Sequence, residues 1–185
     1  IQELLQKGDP PFVIGVVNYG DFERGYEALS AITIPKPNQE ELSFTALLTE
    51  LERVKRYGFT QGELDRAKAE ILAQWEKYYK ERDKISNEEY IDEYINNYLN
   101  KDAFPSTEFA YQAVQAILPT ITVADFNQRL AQWITKNNVV LVVQGPEGDD
   151  VEHLSEAASM TIVEQVASAD IEPYEDEALA ESLVS

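Results

Sequence analysis

The chain reads as an α+β domain, an antiparallel or mixed sheet with helices packed on one face. Three observations predict this. Two β-branched and aromatic runs, residues 12–19 and 26–35, lie close enough to pair as a hairpin. The segments between residues 39 and 134 carry apolar residues at helical spacing. A continuous apolar run at 139–144 then reads as a central strand, covered on at least one face. Strands grouped beside a block of helices, rather than alternating with them, give the α+β pattern.

Each element follows from local chemistry. Residues 1–7 look like the end of a helix closed by Gly8, and Asp9-Pro10-Pro11 breaks the chain. The run FVIGVVNY at 12–19 is the first strand, 20–25 a turn, and YEALSAITIP at 26–35 the second strand. A helix is expected over 39–57, with Phe44, Leu47, Leu48, Leu51 and Val54 on one stripe and Gly58 as its stop. Thr60 and Glu63 form a capping box for the next helix, which runs to about Arg82 with Leu64, Ala67, Ile71, Trp75 and Tyr78 on one face.

A second box, Ser86 to Glu89, opens a helix bearing Tyr90, Ile91, Tyr94, Ile95, Tyr98 and Leu99. Pro105-Ser106 starts a short helix to Leu118, and Thr122 caps another carrying Val123, Phe126, Leu130, Trp133 and Ile134. Asn137-Asn138 turns the chain into VVLVVQ, which Gly145-Pro146-Glu147-Gly148 ends. A weaker helix is expected over 151–167. Residues 170–185 are poorly hydrophobic and strongly negative, as in a linker. The expected organisation is a domain over 1–167, truncated at its N-terminus, and an acidic linker over 168–185 leading to a following domain.

Composition narrows the function. The 185 residues hold 34 acidic and 15 basic ones, a formal charge of -19. Residues 137–185 carry 12 acidic residues and no basic one, as a solvated acidic tail would. This balance argues against nucleic acid and anionic membranes, which need clustered lysine and arginine. No apolar run approaches the roughly 20 residues of a membrane-spanning helix. With no cysteine there is no disulfide, thiolate nucleophile or cysteine-bound zinc.

Candidate chemical groupings are sparse. His153-Leu154-Ser155-Glu156-Ala157 falls short of a zinc-binding H-x-x-E-H, because alanine replaces the second histidine and the chain has no other. It reads as a surface histidine on a peripheral acidic helix. Glu88, Glu89, Asp92 and Glu93 could serve as acid and base or hold a hard cation, but a helix N-terminus also favours such carboxylates. Tyr78, Tyr79, Tyr90, Tyr94 and Tyr98 could face a peptide, while their helical spacing favours packing between helices.

Two segments carry a family resemblance. ALLTELERVKRYGFTQGELDRAKAEIL and LPTITVADFNQRLAQWITKNNVVLVVQGP, together with their surroundings, span about two thirds of the chain. They resemble the paired helices and closing strand of zinc metallopeptidases of the pitrilysin/insulinase kind, the inverzincins. The resemblance implies repeated α+β domains, two per half, of the type also seen in mitochondrial processing peptidase. In that arrangement one domain carries the zinc motif and the next lines a peptide-degrading chamber. This chain resembles the inactive second domain, that of the first half. Zinc is then expected in a separate catalytic domain of the parent and no cofactor in this one. Its partners are the other domains of the same polypeptide and an unfolded or extended peptide. The family further suggests the periplasm or cell envelope of a bacterium.

The resemblance also bears on particular residues. An arginine and a tyrosine that some inactive domains place near the zinc would fall within residues 4–13, where there is no arginine and Phe12 is the matching aromatic. A peptide-docking strand would fall on Gly15, Val16, Val17, Asn18 and Tyr19, which could hold an extended peptide by β-augmentation. The alternative function is a scaffold or interaction module from a relative that has lost catalysis.

Overall fold

The computed structural model describes residues 1, 4–5, 8–23, 25–135, 137–145 and 153–175. The architecture is α+β, as expected, with a two-stranded antiparallel sheet and six helices among the described residues. It divides into two compact units. One comprises Ile1–Gly58 with Asn127–Glu175, and the described part of the other is 59–126.

In the first unit, strand β1 (Ile14–Glu23) pairs with β2 (Tyr26–Ile34) in a register that sets Ile14 opposite Ile34 and Tyr19 opposite Leu29. The expected turn at 20–25 is shorter than the sequence suggests, because β1 continues through Gly20 to Glu23. Gly25 allows this by adopting φ +84°, a left-handed conformation that glycine takes without steric cost. Side chains alternate along the ladder. Gly15, Tyr19, Leu29, Ala31 and Thr33 share the more buried face, while Ile14, Val16, Ile32 and Ile34 stand exposed on the other.

Helix α1 (Glu40–Tyr57) lies against β2 and against helix α6 (Glu156–Ser168). Leu47 is buried, and Phe44 and Leu48 pack on the buried cluster Ile162, Val166 and Ile171. Gly58 ends α1 at φ +73°, and its N–H donates to the Val54 carbonyl at 2.7 Å. The helix expected over 151–167 begins at Glu156, because Ser155 caps it by accepting the Ala158 N–H. Past its end, residues 169–172 are strapped to α1. Tyr57 Oη donates to the Ile171 carbonyl at 2.7 Å, and Arg53 Nη1 to the Glu172 carbonyl at 2.6 Å. The acidic linker expected from residue 168 is thus held against α1 in its first residues, and 176–185 lie outside the described residues.

The central strand expected at 139–144 is not formed, and that reading is corrected. No strand among the described residues pairs with it, and Val140 is 86% exposed. β-branched residues favour an extended chain, but a strand also needs a neighbour to take its N–H and C=O groups, and the sheet here has two strands.

In the second unit, α2 (Gln61–Lys80) opens on the expected capping box. Thr60 Oγ1 accepts the Glu63 N–H, and the Glu63 carboxylate accepts the Thr60 N–H. Helices α3 (Asn87–Asn100) and α4 (Thr107–Ile117) follow, and α2 packs on α4. Helix α5 (Val123–Trp133) starts in this unit after Thr122, whose hydroxyl accepts the Asp125 N–H, and its residues from Asn127 onward belong to the first unit. Ser106 caps α4 by accepting the Phe109 N–H.

Candidate functional site

The five expected docking residues all lie on β1. Gly15 is buried, Val16, Val17 and Asn18 are exposed, and Tyr19 is half-buried. Phe12, which is wholly buried, passes beneath Gly15, and a Cβ there would come within 2.5 Å of its ring. Glycine is needed at that point for close packing. Tyr19 stacks on Trp133 with ring centroids 4.0 Å apart, and its hydroxyl donates to Glu27 Oε2 at 2.7 Å. That bond to a carboxylate pushes the Tyr19 phenol above its ordinary value. The strand is therefore anchored at both ends, with three exposed residues between. One edge of β1 is paired to β2, and no other strand among the described residues takes its second edge. A strand edge of this kind presents backbone N–H and C=O groups that another extended chain can take.

The remaining candidates are placed as follows. His153 sits two residues before the cap Ser155, outside α6, so the near-motif straddles a helix start and cannot present its residues on one helical face. The expectation of a histidine on a peripheral helix is corrected in this respect. Its Nδ1 lies 2.9 Å from Glu40 Oε1, while Glu40 Oε2 accepts the Leu154 N–H at 2.7 Å. The hydrogen bond with His153 is the chief cause holding the Glu40 carboxyl below the usual carboxylate range, and burial opposes it.

Among the described residues, no group of three or more histidine, cysteine or acidic side chains is placed to hold a metal ion. Of the acidic cluster on α3, Glu88 and Glu93 are exposed. The side chains of Glu89 and Asp92 lie outside the described residues, as do Pro146 to Gly148. Phe12, the aromatic expected to match a tyrosine of the resembled family, is buried in the core.

The tyrosines divide. Tyr79 stacks on Tyr111 at 4.9 Å and Tyr78 meets Trp75 edge-on, as packing between helices requires. Tyr94 and Tyr98 are exposed, which corrects the expectation that all five are packed. Helix α3 makes no extensive contact with another element among the described residues, so its apolar spacing is not matched by burial.

Sequence reading missed a cleft of about 330 Å³ in the second unit, lined by Trp75 and Tyr78 of α2, Glu93 of α3, and Asp102 and Phe104 of the connector that follows. Its residues come from three separate stretches of chain, and no linear motif announces them.

No family profile matches the chain. A zinc protease PQQL-like protein of Arabidopsis thaliana is 26% identical over 138 residues, covering 72% of this chain and 14% of that protein. The chain therefore spans about a seventh of that relative's length. Among solved structures, the first half of the periplasmic protease PqqL from Escherichia coli aligns with a TM-score of 0.75 at 19% identity, over 95% of this chain and 38% of that one. The ferredoxin protease FusC, solved as a mutant in complex with Arabidopsis ferredoxin, aligns with a TM-score of 0.57 at 16% identity, over 89% of this chain and 18% of that one. At these identities the structural likenesses show the shared fold.

Proposed function

We propose that this chain, which is related to the zinc peptidases of the pitrilysin/insulinase kind, serves as a non-catalytic domain that docks extended peptide for a separate zinc-bearing domain of its parent. The observation that carries this reading is β1. It holds three exposed residues, Val16, Val17 and Asn18, between fixed ends, and one of its edges has no strand beside it among the described residues. A peptide in extended form would add as a further strand, with main-chain hydrogen bonds providing affinity. Residues 1–167 form the domain in this reading, with the start of the acidic segment from 168 packed on it through Ile171 and Glu172 and the remainder leading on to the next.

Catalysis is assigned elsewhere on chemical grounds. The zinc of an H-x-x-E-H site takes both histidines of that motif, and this sequence has a single histidine. His153 is already engaged with Glu40. Zinc would be held by a domain bearing the H-x-x-E-H helix, and the parent would act in the periplasm, as its relative PqqL does.

The test is titration of the chain with an unstructured peptide while its backbone amides are followed by NMR. Shifts centred on residues 14–19 are expected, and N-methylation of alternate peptide amides should abolish them. Equal binding by the methylated peptide, or shifts centred elsewhere, would overturn the β-augmentation reading.

A further inference from the structure

We propose that the cleft of the second unit binds the cationic side chain of a lysine or arginine in a peptide. This deepens the docking reading, and rests on it only for the occupant being a peptide. Its walls are built by local contacts. Lys101, at φ +64°, turns the chain out of α3, and Asn97 Nδ2 donates to the Asp102 carbonyl at 2.6 Å. Phe104 packs on Tyr94 with centroids 4.7 Å apart. These contacts bring the connector back along α3, so that Asp102 and Phe104 share a cleft with Glu93. Across it stand Trp75 and Tyr78, whose rings meet edge-on at 5.8 Å.

The lining chemistry selects the occupant. The lining residues include two acidic ones, Glu93 and Asp102, three aromatic ones and the neutral polar Asn96 and Thr107, and no lysine or arginine. Three cations of this unit are engaged with other partners. Lys101 Nζ donates to the Tyr98 carbonyl, Lys80 pairs with Glu76 at 2.7 Å, and Arg82 donates to the Tyr79 carbonyl and lies over that ring. The stretch 59–126 holds 13 acidic and seven basic residues, so its overall field also draws cations. A hydrated hard cation could pair with the carboxylates but would gain nothing from the aromatic walls. An ammonium or guanidinium group gains from both, by ion pairing with the carboxylates and by lying over a ring face.

The experiment uses the whole chain and two capped pentapeptides, one with a central lysine in an alanine background and one with norleucine there. Each is titrated while backbone amides and the Trp75 indole N–H are followed by NMR. The lysine peptide should shift signals at Trp75, Glu93 and Asp102, weaken with added salt, and lose roughly tenfold or more in affinity in E93Q/D102N. The norleucine peptide should leave those signals unmoved. Equal response to both peptides, no response to either, or unchanged affinity in the double variant would overturn the proposal. The unsubstituted protein decides the matter by mapping alone if the double variant does not fold. N-methylating the lysine peptide's backbone separates the two readings. The cleft shifts should survive it even where those at residues 14–19 vanish.

Discussion

The Arg56 guanidinium of α1 donates to the Ala169 carbonyl at 2.7 Å, and its second terminal nitrogen to the Ala167 carbonyl at 2.9 Å. One side chain thus takes main-chain oxygens left without partners at the end of α6, where positive charge also suits the helix dipole. The pair joins two helices 110 or so residues apart. Glu52 holds the guanidinium in place from the other side at 2.9 Å.

Removing this clamp should destabilise the first unit. Arg56→Ala should lower stability by about 0.5–1.5 kcal/mol, the net range for a hydrogen bond, since the freed carbonyls lie at the surface and can take water. Urea denaturation of the two proteins measures it, and coincident curves would show that the contacts contribute little.

Gly15→Ala tests the packing beneath the docking strand. The new methyl would press on the buried Phe12 ring, and overpacking of this kind costs about 1–3 kcal/mol. The expected result is a lower thermal midpoint with an unchanged far-UV spectrum. An unaltered midpoint would mean that Phe12 can withdraw freely.

The link between Glu40 and His153 predicts a dependence on pH. Folding depresses the Glu40 pKa below its ordinary 4.5, so its contribution to stability is complete above that value and is lost as pH falls through the folded pKa. Glu40→Gln should be the less stable protein at neutral pH, and the gap should narrow from roughly pH 5 to pH 3. Parallel stability curves across that window would sink the assignment.

Zinc should find no specific site in the chain. Calorimetric titration should give no one-to-one complex at roughly micromolar affinity or tighter. Such a complex would place metal chemistry in this domain and overturn its non-catalytic assignment.

Local chemistry was legible wherever neighbours in sequence are neighbours in space. The Thr60–Glu63 box, the Ser106 and Thr122 caps and the Gly58 stop all act within four residues, and each appears where the sequence places it. The stretch 139–144 failed for the opposite reason. Its composition favours extension, but pairing depends on a partner strand that no local pattern specifies. Helix α3 misled in a similar way, since its spacing of Tyr94, Ile95, Tyr98 and Leu99 suggests a buried face that the described residues leave exposed.

By itself, then, the sequence determined the α+β class, the local caps and stops of several helices, the resemblance to zinc peptidases and the presence of one histidine and no cysteine, because each depends on residue type and short-range order. Tertiary structure alone decided which of those features face solvent. It buried Gly15 over Phe12, took His153 out of its near-motif and onto Glu40, and gathered Trp75, Glu93 and Asp102 around one cleft. Each of these joins residues remote from one another in sequence or crosses an element boundary, and such proximity is set by how the elements pack rather than by what any one of them is made of.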